Sequence, residues 1–334
     1  MTILYHLATL PPKMPQAEAI SQEITAVRAR FGGEVIYVNP NQAFFRYIPR
    51  LFFGFHKLRE LRAREVGVQF HHFYNPDPFP FHYLRTLQRP VVYSVTCGIR
   101  DKRPNIPYLS SLAVVAASDQ RSLDLLKSWG LENTALLQPG IDTTRFTHSP
   151  VPLKSTIMLM VGSAPWTRGQ FHTKGVEALL AAAQQDLDLN LTFLWRGVLA
   201  DEMQRKVDRL NLGDRVSVFN RQVDVNQVLT TVHASIVLAT DPAIIKSYPH
   251  SLLDSLAAGK PVLVSRAIPM ADYVEETGCG QVVEAVTPAS ILEAIEALRR
   301  TYNAQRQLAL QVGCRDFSQQ AMLASYQQLY RQIL

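Results

Sequence analysis

The chain has 334 residues, 47% of them hydrophobic, and a formal net charge of +6. That length suits two domains, and the composition excludes a disordered or low-complexity chain. No apolar run approaches the roughly eighteen residues of a membrane span. Three scattered cysteines, Cys97, Cys279 and Cys314, suit neither a disulfide framework nor a zinc site and predict a reducing cytoplasm.

The opening MTILYHLATLPPK lacks a basic leader and a cleavage site, so it reads as a first strand, Ile3–Ala8, and not as a signal peptide. A helical pattern over Gln16–Phe31 follows, with Gly32–Gly33 as its stop, then a strand at Glu34–Val38. Next comes FFRYIPRLFFGFHKLRELRARE, where Arg46, Arg50, Lys57, Arg59, Arg62 and Arg64 stand among Phe44, Phe45, Tyr47, Leu51, Phe52, Phe53 and Phe55. Residues 1–148 carry 17 Lys/Arg against 11 Asp/Glu, and the remainder 17 against 17, so the positive excess lies in the first half. Basic residues mixed with aromatics suit an anionic membrane surface, here through 44–64; a solvated helix with one core-facing side is the plainer alternative. No nucleic-acid partner is expected.

Strands are predicted at Val68–Phe73, Pro90–Val95 and Ala113–Ala117, with a helix over Ser118–Trp129. The segment QPGIDTTRFTHSPVPLKS has Pro and Gly without periodicity and marks a linker. Beyond it lie candidate strands Thr156–Val161, Leu191–Trp195, Val216–Phe219, Ala234–Ala239, Pro261–Ser265 and Gln281–Val283, with helices over Lys174–Gln185 and Ala200–Leu210 and a last one over Phe317–Leu334. Short buried strands alternating with helices predict parallel sheets covered on both faces, and two such runs predict two doubly wound α/β domains.

Two stretches carry chemistry. In KSYPHSLLDSLAAGKPVLVS, a short helix begins near Pro249, stops at Gly259 and is followed by an apolar strand. A helix start presents free N–H groups that favour an anion, with Ser251 and neighbouring N–H groups as phosphate donors. Asp254, one turn on, could reach a ribose, or Ser251-x-x-Asp254 could be a capping box. His250 could assist a leaving phosphate, although a lone histidine is more often structural. In VGSAPWTRGQFHTKGVEALLAAA, a strand ends at Val161 and a long loop leads to a helix opening near Thr173. Lys174 in its first turn would oppose the macrodipole unless it faces a diphosphate.

These two stretches resemble the donor-nucleotide segments of retaining glycosyltransferases with the GT-B fold, of the family 4 type. The resemblance implies two Rossmann-like domains facing a cleft. Residues 1–148 with a closing helix, 317–334, would form the acceptor-side domain, and 149–316 the donor-binding domain. PGIDTTRF resembles the segment with which the first domain of that family ends. By the family's G-R-x(n)-K-G pattern, Gly162, Lys174 and Gly175 would hold the donor diphosphate. Ser163 stands where the family has Arg, and Arg168 is the candidate replacement. By the E-x7-E pattern, Asp254 takes the ribose-binding position, flanked by His250, Ser251 and Leu252. Lys246 takes the position that faces the transferred sugar. A cation cannot accept hydrogen bonds from hydroxyls, so an acidic donor sugar, rearranged recognition or lost activity would follow. On the acceptor side, Thr96–Cys97–Gly98 departs from the family's histidine motif, leaving Gly98, Arg100 and Asp101 as candidates.

The implied function is transfer of a sugar from a nucleoside-diphosphate sugar to a hydroxyl of a glycan, lipid-linked saccharide or metabolite, with retention. The alternatives are a donor-binding protein without catalysis and a sugar-nucleotide epimerase on the same fold. No cofactor is expected, since the nucleotide-sugar is a substrate, and no metal, because Lys, Arg and helix starts can stabilise the departing diphosphate. The chain lacks a G-x-G-x-x-G after its first strand and a Walker A motif, which disfavours dehydrogenase and kinase readings.

Overall fold

Alternating apolar runs and helical patterns build two six-stranded parallel sheets. The computed structural model describes residues 2–12, 15, 18–42, 47–195 and 198–334. These fall into two units, Met1–Pro139 with Gln320–Leu334, and Gly140–Gln319. The division comes before the expected residue 148. Ile141 is buried with Val237, Leu252 and Phe317, and its N–H donates to Phe317 O at 2.9 Å, which ties it to the second unit.

The first unit runs β1 (Ile3–Leu7), α1 (Ala19–Phe31), β2 (Glu34–Tyr37), α2 (Leu58–Arg64), β3 (Phe70–Asn75), β4 (Val91–Val95), α3 (Ile106–Leu109), β5 (Val114–Ala117), α4 (Gln120–Ser128) and β6 (Thr134–Leu136). Its sheet order is β2-β1-β3-β4-β5-β6. β6 is absent from the expectations: three half-buried or exposed residues at a sheet edge carry no apolar run. The last helix, α12 (Gln319–Arg331), lies in this unit and packs Met322, Tyr326, Leu329 and Tyr330 against one sheet face. That spacing is one stripe of a helix.

The strands are buried on both faces, and alternate residues enter different cores. Ile3, Tyr5 and Leu7 join Phe70 and Tyr330, whereas Leu4 joins Phe73 and Tyr93. Histidines on β1 and β3 follow the same alternation. His6, His71 and His72 are all fully buried, and each is hydrogen-bonded. On one face, His71 Nε2 meets Glu65 Oε1 at 2.9 Å, His6 Nε2 meets His71 Nδ1 at 2.9 Å, and Tyr83 OH meets His6 Nδ1 at 3.1 Å. Glu65 also accepts from the N–H groups of Gln88 and Arg89. A carboxylate accepts, so each ring must donate towards Glu65 and Tyr83 must donate to His6. On the other face His72 sits between Tyr330 OH and Ser94 Oγ, 2.7 Å from each. These histidines are packing residues of the first unit.

The second unit runs β7 (Ile157–Val161), α5 (Gly169–Thr173), α6 (Val176–Gln185), β8 (Leu189–Leu194), α7 (Ala200–Arg209), β9 (Val216–Phe219), α8 (Val225–Leu229), β10 (Ala234–Val237), α9 (His250–Ala257), β11 (Val262–Ser265), α10 (Met270–Thr277), β12 (Gly280–Val283) and α11 (Pro288–Asp316). Its sheet order is β12-β11-β10-β7-β8-β9. Among the described residues no helix is long and apolar enough to cross a membrane.

Burial holds His6, His71 and His72 below the ordinary imidazole value, His72 down to about 3. An unfolded histidine titrates near 6.5. Their contribution to stability is therefore complete above about pH 6.5 and is lost as the pH falls towards the folded values. Each such histidine can add a slope of up to about 1.4 kcal/mol per pH unit. Urea unfolding at pH 7.5 and pH 5 should show a lower midpoint at pH 5. Equal midpoints would mean that these rings can hold a proton in the fold.

Candidate nucleotide-sugar site in the second unit

In an open parallel sheet, ligands bind beyond the carboxyl ends of the strands, where the strand order reverses. In the second unit that point lies between β7 and β10. The chain leaves β7 to one side through β8 and β9, then returns to the other side as β10. The loops after β7 and β10 therefore part there, and both carry residues singled out from the sequence.

Gly162 ends β7 with its N–H on Ile236 O of β10 at 3.1 Å. A Cβ at this position would overlap the Ser251 hydroxyl and lie 2.8 Å from the Ser251 Cβ. Only glycine lets the β7 loop lie directly on the first turn of α9. Ser163 follows with φ 65°, a left-handed conformation that costs a non-glycine residue roughly 1–3 kcal/mol. Strain of this kind is tolerated where the surroundings fix the loop.

Lys174 does not lie in the first turn of a helix. It is the C-cap of the five-residue α5, and Gly175, at φ 68°, separates it from α6. Its charge therefore sits at a helix C-terminus, where a cation is favourable. The argument from an opposed macrodipole does not hold. The side chain is buried, and Nζ donates to Ala164 O of the β7 loop at 3.2 Å. A Cβ on Gly175 would lie 2.8 Å from Leu238 Cδ1, just beyond β10, and Thr240 N–H donates to Thr173 O at 2.8 Å. The Lys174–Gly175 corner is thus fastened to the β10 loop.

Pro249 is the N-cap of α9, with no side-chain cap. His250 and Ser251 form the first turn, where N–H groups have no intrahelical acceptor. Ser251 lies inside the helix, so the capping box is not what forms. Asp254 is half-buried one turn on, on the same helix face as His250 and Ser251 by its i+4 and i+3 spacing. His250 Nδ1 is shut off from solvent without a hydrogen-bond partner. Burial, and then the charge of Lys246, holds the ring well below the usual imidazole range, so it is neutral at pH 7 and can donate one N–H. Lys246 is half-buried between buried Ile245 and Ser247.

Two candidates stand elsewhere. Arg168 is largely exposed, and its Nε pairs with Glu202 Oε2 of α7 at 3.1 Å. Leu252 is fully buried in the core, and its N–H donates to Pro249 O at 2.9 Å, so neither its side chain nor its amide is offered at the helix start. Gly98, Arg100 and Asp101 belong to the first unit, after β4; Gly98 is buried and the other two are exposed. The β10 loop residues Thr240 and Asp241 went unnoticed in the sequence. Their signal is position alone, directly after the strand at which the order reverses.

A family model of the group 1 glycosyl transferases matches residues 143–310, half of the chain. The chain belongs to this family. No curated protein matches it by sequence. Solved structures resemble it along almost the whole length. Anabaena Alr3699/HepE in complex with UDP matches at a TM-score of 0.73 and 13% identity, covering 99% of this chain and 100% of that one. Sucrose-phosphate synthase from Thermosynechococcus elongatus matches at 0.73 and 18%, covering 99% of each. A glycosyltransferase from Rickettsia africae matches at 0.74 and 13%, covering 99% and 98%. At these identities the likeness is one of fold, and it makes this group 1 glycosyl transferase a GT-B protein with two Rossmann-like domains.

Gly162→Ala should destabilise the second unit by about 1–3 kcal/mol through overpacking against Ser251. Adding Ser251→Gly should restore part of that loss, since contacting residues couple. Urea midpoints of the two single variants and the double variant test this. Strictly additive losses would show that the two residues do not touch.

Proposed function

We propose that the protein transfers a sugar from a nucleoside-diphosphate sugar to a hydroxyl of a glycan, lipid-linked saccharide or metabolite, with retention at the anomeric carbon. The observation that carries this reading is the seating of Gly162 on Ser251 where the second sheet reverses its order, with Lys174 fastened to the same two loops. HepE of Anabaena is known in complex with UDP and with UDP-glucose, which favours a uridine donor. Retention and membership of family 4 rest on the resemblance of the two motifs, and the cytoplasm is the expected compartment.

In this reading the diphosphate lies against the first turn of α9. The His250 and Ser251 N–H groups and the Ser251 hydroxyl donate to its oxygens, and Asp254 accepts from the ribose hydroxyls. The bond between the anomeric carbon and the phosphate oxygen breaks with its electron pair on that oxygen. The acceptor oxygen bonds to the carbon, and its proton leaves with the diphosphate. Negative charge grows on the leaving group, and Lys174 and the helix start stabilise it without a metal. Neutral His250 donates a hydrogen bond there and is not an acid at pH 7. Lys246, beside His250, contacts the transferred sugar or an acidic group on it.

Transfer from radiolabelled UDP-sugars, assayed on the wild type, Lys174→Ala and Lys246→Glu, tests this. Lys174→Ala should lose about 2–4 kcal/mol of transition-state stabilisation, a roughly thirty- to several-hundredfold drop in turnover. Lys246→Glu should reduce use of the native donor and admit a neutral hexose donor, because a carboxylate accepts from hydroxyls. Wild-type turnover in folded Lys174→Ala would remove that residue from the site. Donor binding without turnover in the wild type would favour the non-catalytic alternative.

A further inference from the structure

Five of the exposed large hydrophobic side chains of the described residues crowd into one stretch of twenty: Tyr47, Leu51, Phe52, Phe55 and Val66. Phe44, Phe45 and Arg46 lie outside the described residues, and nothing here depends on them. The exposure is imposed by the backbone. Phe53, next to Phe52, is 4% exposed and packs on Phe81, whereas Phe52 is 55% exposed. Gly54 N–H donates to Val38 O at 3.0 Å, and a Cβ on Gly54 would overlap the Tyr83 ring. Arg50 grips Asp77 through both terminal nitrogens, at 3.1 and 2.5 Å, and lies 4.4 Å over the Phe79 ring. With the segment pinned at Arg50, Phe53 and Gly54, the neighbouring Tyr47, Leu51, Phe52 and Phe55 side chains are held out in water.

Cations stand beside them. Arg59 and Arg62, three residues apart, share one stripe of α2, and Phe55 and Val66 stand in the 3-10 turns before and after it. All four are exposed, whereas Leu61 and Glu65, off that stripe, are buried. Arg64 is spent on Glu34 and Glu60. Arg59, Arg62 and Lys57 form no ion pair among the described residues. Aromatic and aliphatic side chains fixed outward among unpaired cations match a lipid interface, where apolar groups enter the headgroup region and cations meet anionic lipid. The first half of the chain, which holds the whole positive excess, adds long-range attraction of the same sign.

We propose that residues 47–66 form a docking face for an anionic lipid bilayer. This does not rest on the sugar-transfer reading, since vesicle binding and turnover are measured separately.

The test is co-sedimentation of the full chain with phosphatidylcholine vesicles and with phosphatidylcholine–phosphatidylserine vesicles, at low and high salt. The expected result is binding to the anionic vesicles that weakens at least about tenfold on neutral vesicles or at high salt. Phe52→Ser/Phe55→Ser and Arg59→Gln/Arg62→Gln should each weaken it by about tenfold, with melting temperatures unchanged because all four side chains are exposed. Arg64→Gln should bind as the wild type does. Absent binding, equal binding to both vesicle types, or unchanged binding by both double variants would overturn the proposal. Self-association that both double variants abolish, without vesicle binding, would overturn it in favour of a second copy of the chain.

Discussion

The candidate donor site follows from one topological constraint. The chain must leave β7 towards β8 and later return on its other side as β10. Two loops then diverge from adjacent strand ends, and the backbone N–H groups of the following helix point into the gap. Gly162 lets the β7 loop touch α9, and Gly175 lies directly against Leu238. Neither position has room for a side chain. The Lys174 ammonium lies on Ala164 O of the β7 loop, and the Ser251 side chain lies against Gly162 of the same loop.

The polar chemistry of the first unit is of another kind. Tyr83, His6, His71 and Glu65 form one buried chain, and His72 joins Ser94 to Tyr330 of α12. Every ring nitrogen of these three histidines is occupied, and in the chain from Tyr83 to Glu65 the carboxylate fixes which group donates and which accepts. Such a network rewards one arrangement and penalises partial satisfaction. It fastens the closing helix and the 50–67 segment to opposite faces of the sheet. His250 of the second unit differs: its Nδ1 is enclosed without a hydrogen-bond partner.

The sequence was most legible where the signal was local. Continuous apolar runs marked eleven of the twelve strands, and Gly259 at φ 71° stops α9 where its type and position indicated. The edge strand β6 was missed because edge residues need no apolar run. Non-local pairing was hidden. Arg168 pairs at the surface with Glu202, far along the chain, and Leu252 faces the core from α9, which begins at Pro249 as its sequence indicates. Lys174 lies against the β7 loop, but as a helix C-cap and not in a first turn, because Gly175 breaks the helix that its neighbours would otherwise continue. Ile141 and the residues after it belong with the second unit through Phe317, a partner that no reading of the linker alone supplies.

The central claim is that the loops at the reversal of the second sheet recognise a diphosphate before anything else. Calorimetric titration of the protein with UDP and with uridine measures this directly. Two or more charge-assisted hydrogen bonds to the diphosphate, each worth about 1.5–3 kcal/mol, predict that UDP binds at least roughly a hundredfold more tightly than uridine. Equal affinities, or no binding of either, would contradict the account.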